Sequence, residues 1–394
     1  MKFVELRDVA EFIRGITYKP DELVENFSEN SVVCMRTANV QKNLDESNLL
    51  SVPTILIKND QKYLLEGDIL VSTANSWNLV GKCSWVHNLG YKATAGGFIA
   101  ILRANGEMIN PRYLYHWFNS EPIQIQARNC GRQTTNISNM DIDRCLSIKV
   151  YLPSLEEQRR IASILDKADE IRQKRQQAIA KLDELLQATF IDMFGDPVSN
   201  PKGFKLQKLS EIGVISTGNT PSRADEDNYG NFIEWIKSDN LNNDFDIATQ
   251  ATEYLSEKGK QKGRIVPAGS ILVTCIAGSL NCIGNLAIVD REVAFNQQIN
   301  AVTPKENIQT EYLYYLLKVS KSIIQSFSTN AMKGMISKST FSQIELPIAS
   351  SEQQAKFVEI FNKFSDLKSN SNKELSELDN LFKALQQKAF SGTL

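Results

Sequence analysis

The sequence predicts an α+β protein in which two pseudo-symmetric mixed α/β domains are joined by two long helices forming an antiparallel coiled coil. Three observations predict this. An internal repeat runs through most of the 394 residues, each copy ends in a long heptad-patterned segment, and the remainder is short β-rich runs between Gly and Asn turns. The expected boundaries are a first domain at 1–152, a first long helix at 153–195, a second domain at 196–349 and a second long helix at 350–394.

Each copy opens on a Leu-x-x-apolar pattern followed by Gly-x-Thr. In the first these are Leu6, Val9, Ala10, Glu11, Gly15 and Thr17, and in the second Leu206, Leu209, Ser210, Glu211, Gly218 and Thr220. A Gly-x-Ile-Leu-Val strand follows at Gly67–Val71 and Gly269–Val273, then a Tyr-Leu-Tyr helix at about 111–127 and 309–326. A Gly-containing loop comes next, Gly131–Ser138 and Gly334–Ser337. Between the copies, Asp196-Pro197-Val198-Ser199-Asn200-Pro201 is a linker, because proline lacks the amide a helix needs.

The final segments align without a gap at an offset of 196, from Gln158 and Gln354 to Phe194 and Phe390. Ile161, Leu165, Ala168, Ile179, Leu182, Leu186 and Met193 are answered by Phe357, Phe361, Phe364, Leu375, Leu378, Phe382 and Ala389, a stripe of period seven. Helices of that extent are roughly 55 to 60 Å long at 1.5 Å per residue, and an amphipathic helix so long needs a partner for its stripe. The other copy is the nearest one. Arg172, Arg175, Lys368 and Ser371 interrupt the stripe, so a polar waist is expected.

The chain is too long for one ordinary core. It has no run of eighteen apolar residues, and acids stand in its first thirty residues where a signal peptide would be apolar, so a cytoplasmic location without membrane association is expected. Cys34, Cys83, Cys130, Cys145, Cys275 and Cys282 form no C-x-x-C pair, which points to structural thiols rather than a metal site or disulfide framework. The net charge of −2 does not advertise a nucleic-acid partner. Its distribution does: the stretches 69–106, 122–140, 258–289 and 312–344 contain no Asp or Glu and carry +3, +2, +4 and +4, counting Lys and Arg.

From end to end the chain resembles the specificity (S) subunits of type I restriction-modification systems. The resemblance rests on the tandem order of domain and long helix, on Leu152-Pro153-Ser154-Leu155-Glu156-Glu157-Gln158, and on Leu-Asp-x-Leu at 182–185 and 378–381. Phe194-Gly195-Asp196-Pro197, Ala389-Phe390-Ser391-Gly392 and Phe295-Asn296-Gln297-Gln298-Ile299 add to it, although the first domain has Ala95-Gly96-Gly97-Phe98 at the last of these. The resemblance implies a non-catalytic chain with two target recognition domains, each reading half of a bipartite site in double-stranded DNA. It further implies two methyltransferase (M) subunits docked on it and restriction/translocase (R) subunits in the full complex. S-adenosylmethionine, ATP and Mg²⁺ would then belong to the partners, with no cofactor or metal in this chain.

Bases are read in the major groove by Arg, Lys, Asn and Gln, with Ser and Thr assisting. The acid-free loop holding Arg128, Arg132, Gln133, Thr134, Thr135 and Asn136 is the leading candidate in the first domain, and Lys333, Met335, Ser337 and Lys338 in the second. Asn75, Ser76 and Lys82 are further candidates, matched by Ser279, Asn281 and Asn285, whereas the neighbouring Trp77 is expected to be a packed core aromatic. Lys237, Ser238 and Asn240 make another candidate loop. Because the loops differ between otherwise matching domains, the implied target is asymmetric.

Enzymatic readings find little support. All eleven prolines are isolated and Pro-Cys and G-x-G are absent, so neither an Asn-Pro-Pro-aromatic methyltransferase centre nor a Gly-rich cofactor loop is present, and there is no G-x-x-x-x-G-K-[ST] for ATP. Pro20-Asp21 with Asp60-Gln61-Lys62 matches a nuclease-like pattern short enough to arise by chance. The remaining alternative is a protein-binding scaffold organised by the coiled coil.

Overall fold

In each domain the Gly-x-Ile-Leu-Val run becomes the inner strand of an antiparallel sheet, and its alternating side chains explain why it is apolar throughout. Ile69 and Val71 pack on the layer containing Tyr113, Trp117 and Phe118, while Leu70 faces the opposite way onto Val33, Met35 and Val86. Ile271, Leu272 and Val273 divide in the same manner between two buried clusters. This is a computed structural model, and it describes residues 2–133, 137–241, 246–329 and 334–394.

The strands run in the order 10–14, 99–104, 69–72, 83–85 in the first domain, and 213–217, 299–304, 271–274, 286–288 in the second. A second sheet, three-stranded in the first domain and five-stranded in the second, holds a parallel pair in each, Ser31–Met35 beside Ala93–Ala95 and Ile233–Ile236 beside Val293–Phe295. The opening segment pairs with the last strand before the long helix, Phe3–Glu5 with Lys149–Tyr151 and Lys205–Lys208 with Glu345–Ile348.

The register corrects one detail of the repeat. Leu6 N donates to Ile148 O and Leu209 N to Ile344 O, so Leu6 answers Leu209 rather than Leu206. Two overlapping patterns, Leu206-x-x-Leu209 and Leu209-x-x-Ile212, compete in the sequence. Burial chooses the second, since Leu209 and Ile212 are inside whereas Leu206 is 49% exposed. The helices expected at 111–127 and 309–326 are each two helices, Pro111–Phe118 with Glu121–Asn129 and Thr310–Val319 with Lys321–Ser326, broken at Ser120 and Ser320.

The long helices are continuous over Leu155–Phe194 and Ser351–Ser391. By compactness the chain divides into one unit of Met1–Gln176 with Lys373–Leu394 and another of Gln177–Asn372, so each helix gives half of itself to each unit. Within each unit the halves run antiparallel. In the first, Arg172 meets Asp379 at 2.6 Å and Arg175 meets Glu374 at 2.5 Å; in the second, Lys368 meets Asp183 at 2.9 Å and Phe190 packs on Phe357 at 5.0 Å between ring centroids. The polar waist is therefore a set of ion pairs, and Arg172 also bonds Asp169 and lies over the Phe382 ring.

The outer seam residues are more than seam. Ile161, Leu165 and Phe382 are buried in the first domain's core, and Leu186, Phe357 and Phe361 in the second's, while Ile179, Leu182, Phe364 and Leu378 are half-buried. Gln158 and Gln354, both buried, fasten each helix start to its domain by accepting from Asn110 N and Gln309 N. After Phe194 the chain turns at Gly195 with φ +77°, where a β-carbon would lie 2.7 Å from Pro201.

Candidate nucleic-acid interface

Segments far apart in sequence meet on one face of the first unit. Gly131–Gln133 forms a hairpin with Ser138–Met140, and Ala74–Asn75 adds as a third strand, pairing Asn75 with Ser138. Thr73 N and Oγ1 donate to Phe98 O at 2.9 and 3.1 Å, which joins the hairpin to the Gly96-Gly97-Phe98 turn. Gly96 N donates to Met35 O at 2.8 Å, bringing Arg36 and Thr37 alongside. Gly15 lies beneath, and a β-carbon there would sit 2.1 Å from Gly96 O.

The second unit repeats this plan with other side chains. Ile276–Ala277 pairs with Gly334–Met335, and Cys275 N donates to Gln298 O at 2.8 Å. Asn296 N donates to Ile236 O at 3.0 Å, which places Lys237 and Ser238 next in line, and Gly218 takes the place of Gly15 with the same 2.1 Å approach, to Asn296 O. Where the first unit has Gly97 and Phe98, the second has Gln297 and Gln298. Thr220 Oγ1 donates to Gln297, and Ser238 Oγ to Gln298 Oε1 at 3.3 Å.

The candidates from the sequence fare unevenly. Arg128, Asn75, Ser76 and Lys82 come together around the first hairpin, and Ser279, Asn281 and Met335 around its counterpart. Arg132 and Gln133 lie on the hairpin strand. Thr134, Thr135, Asn136 and Lys333 lie outside the described residues. Trp77 is a correction: it is 46% exposed on the turn after Asn75, with the Arg128 guanidinium 5.8 Å above its ring, because the strand ends there and the turn projects from the sheet.

Three second-domain candidates also change role. Asn240 is buried, and its amide donates to Thr249 Oγ1 and Gln250 O while its carbonyl accepts from Lys237 N, so it shapes the loop from within. Ser337 caps the helix Lys338–Ser342 by accepting from Thr340 N, which makes it the positional equal of Asp141 rather than of Ser138. Lys237 is paired with Glu253 at 2.9 Å, and the Lys237 and Arg223 bonds hold that carboxyl below its ordinary range. Lys338, on the first turn of that helix, is exposed.

Space also revises the charge pattern. Lys258 and Lys262 pair with Asp225 and Lys260 with Glu292, so the acid-free stretch 258–289 is largely neutralised by acids distant in sequence. Lys42, Lys82 and Arg128 have no carboxylate partner among the described residues. In the first unit Arg36 Nε is buried without a hydrogen-bond partner, beside a pocket of about 400 Å³ lined by Tyr18, Thr37, Gly97 and Phe98. Phe98 is 64% exposed. At the foot of the hairpin a hydrogen bond from Cys145 holds the Cys130 thiol below its ordinary value. The cysteines are free, all but Cys282 buried. Among the described residues no His, Cys, Asp or Glu cluster could hold a metal, and no helix is long and apolar enough to cross a membrane.

Sequence reasoning missed Arg36 and Thr37, and gave no role to Phe98, Gln297 and Gln298. The signal for the first two was present: Met35-Arg36-Thr37-Ala38-Asn39 and Ile236-Lys237-Ser238-Asp239-Asn240 each follow an apolar strand and end in an Asn. Asn39 is buried and accepts from Arg36 N, as Asn240 accepts from Lys237 N.

The profile of the family described as type I restriction modification DNA specificity domain matches residues 1–181 and again 201–380. The chain is 34% identical over 190 residues to the HindI specificity subunit of Haemophilus influenzae, covering 46% of this chain and 40% of that one. It is 23% identical over 419 residues to the EcoKI specificity subunit of Escherichia coli K12, covering 98% of this chain and 87% of that one. It thus spans less than half of the first relative and most of the second. Among solved structures, a chain from a study of type I R-M complex assembly and conformational transition superposes with TM-score 0.59 at 18% identity, covering 100% of this chain and 98% of that one. The type I restriction-modification S subunit from M. genitalium gives 0.56 at 15%, covering 99% and 96%. At such identities these two speak for the fold.

Proposed function

Because the chain belongs to the type I restriction modification DNA specificity family, matched twice and over most of its length, we propose that it is the DNA-reading subunit of such a system. In this reading each unit recognises one half of an asymmetric bipartite site in double-stranded DNA. One observation carries it: in both units the same strand pair (74–75 with 138–139, 276–277 with 334–335), the turn at 96–98 or 296–298 and the segment at 36–37 or 237–238 meet, with the backbone plan kept and the reading side chains exchanged. Gln297, Gln298 and Ser238 suit hydrogen bonding to base edges, while Gly97 and Phe98 beside Arg36 offer an apolar contact next to a donor. A protein that needed only to hold partners would gain nothing from this divergence.

The long helices set the spacing between half-sites and dock the methyltransferase subunits. Ile171 and Leu185 on the first helix are 45% and 56% exposed, and their counterparts at the offset of 196, Leu367 and Leu381, are 53% and 55% exposed. Apolar side chains left outside the pairing at repeated positions fit two copies of one partner. The chain itself is non-catalytic and cytoplasmic; S-adenosylmethionine, ATP and Mg²⁺ serve the methyltransferase and restriction/translocase subunits.

The test is methylome sequencing of a host carrying the chain with its partner genes. The expected result is one methylated motif with two unlike halves and a fixed gap. A symmetric motif would overturn the asymmetry, and loss of sequence preference with salt-insensitive binding would favour a protein scaffold.

A further inference from the structure

We infer that Lys42, Lys82 and Arg128 form a phosphate clamp in the first unit, gripping the DNA backbone beside the base-reading hairpin. The inference rests on the DNA-reading role proposed above and assigns these cations to phosphate rather than to bases. They line one cleft of about 230 Å³ together with the amides of Gln41, Asn78 and Asn119. Neither lysine nor the arginine has a carboxylate partner among the described residues, and the one acid on the Arg128 helix, Glu121, pairs with Lys383. The cleft thus brings three cations together among neutral amide side chains with no anion among its described lining residues, which is what a phosphodiester oxygen requires.

The walls are held in place. Lys82 Nζ bonds Gln41 Oε1, Lys42 Nζ donates to Gln176 on the first long helix at 3.2 Å, and Arg128 rests over Trp77. Gln124 spends its amide on Gly81 O and Phe118 O, fixing the floor. Arg128 ends the helix that leads directly into the hairpin strand Gly131–Gln133, so a phosphate here flanks whatever base the hairpin meets.

At the Lys82 position the two units differ. Ser72 N donates to Lys82 O and Thr274 N to Asn285 O, which makes Asn285 the positional equal of Lys82. Asn285 is neutral and accepts from Lys321 Nζ at 2.6 Å.

The test uses the full chain assembled with its methyltransferase subunits. Binding to a duplex carrying the mapped site and to a scrambled duplex is measured by fluorescence anisotropy from 50 to 200 mM salt, for wild type, Lys42→Gln, Lys82→Gln, their double variant, and the control Lys318→Gln, whose charge is already paired with Asp246. Each lost phosphate contact should lower the slope of log affinity against log salt by about 0.9, so that the affinity lost across this fourfold salt range shrinks about threefold per contact. The loss should be equal on both duplexes, Lys82→Arg should restore the slope, and Lys318→Gln should leave it unchanged. An unchanged slope in the double variant overturns the clamp, as does a loss confined to the mapped site, which would make these base contacts. Inorganic phosphate that protects the wild-type cleft while the DNA slope stays insensitive to both lysines would make it a free-anion site and also overturn the proposal. A wild-type complex without sequence preference would instead sink the DNA-reading role itself.

Discussion

Replacing Phe190 by Ala tests whether the end of a long helix is core to a globular domain or only part of a seam. Phe190 is fully buried, with ring centroids 4.7 Å from Phe194, 5.0 Å from Phe357 and 5.3 Å from Tyr315. Truncating a buried Phe costs about 3 to 5 kcal/mol, and the loss of several ring contacts, the one with Phe357 edge-on, places this site toward the upper end. Against a domain stability of about 5 to 15 kcal/mol, that is a large share. Its counterpart at the offset of 196, Gln386, makes one 3.4 Å bond to His116 O, so Gln386→Ala should cost only about 1 kcal/mol. Hydrogen exchange read by mass spectrometry separates the units, since Ile271–Thr274 and Ile69–Ser72 are equivalent inner strands. Phe190→Ala should strip protection from the former and spare the latter. Equal loss in both strands, or a cost below about 1 kcal/mol, would refute the assignment of the helix end to the second domain's core.

Other perturbations probe the faces and their supports. Gln297→Ala or Gln298→Ala should relax only the second domain's half-site, by about 1 to 3 kcal/mol if a bidentate base contact is lost; methylation mapping that shows both halves altered would contradict this. Gly218→Ala puts a β-carbon 2.1 Å from Asn296 O, a backbone clash the strand cannot relieve, so thermal unfolding should fall sharply, and a wild-type melting curve would show the approach to be unimportant. Burial raises the Asp166 pKa, yet hydrogen bonds from His116 at 2.7 Å and Arg112 at 2.6 Å outweigh it and leave the carboxyl below its ordinary value of 3.8. A depressed folded-state pKa contributes stability that is present above the unfolded value and lost as pH falls through the folded one. Asp166→Asn should therefore flatten the acid limb of a stability-versus-pH curve below about pH 4, and an unchanged limb would exclude this cluster as its source.

Much of the architecture was written locally. The repeat and the heptad stripes are periodic patterns, and a period of seven survives in the sequence because each apolar residue must face the same side of its helix, whereas the Gly-x-Ile-Leu-Val strands are legible as unbroken apolar runs because both of their faces are buried. Gln158 and Gln354 stood out only as matched positions in the ungapped alignment, and folding gave them their role of tying each helix start to its domain. Tertiary structure decided which pattern wins and which charges stay free. Leu209 displaced Leu206 through burial, Asn240 turned inward to bond its own loop, Ser337 spent its hydroxyl on a helix cap, and Lys258 and Lys262 were neutralised by Asp225, more than thirty positions away. Lys42, Lys82 and Arg128 became one cleft only through folding. Periodicity records the face a residue takes, whereas convergence depends on strand pairings such as Asn75 with Ser138 that no local spacing encodes.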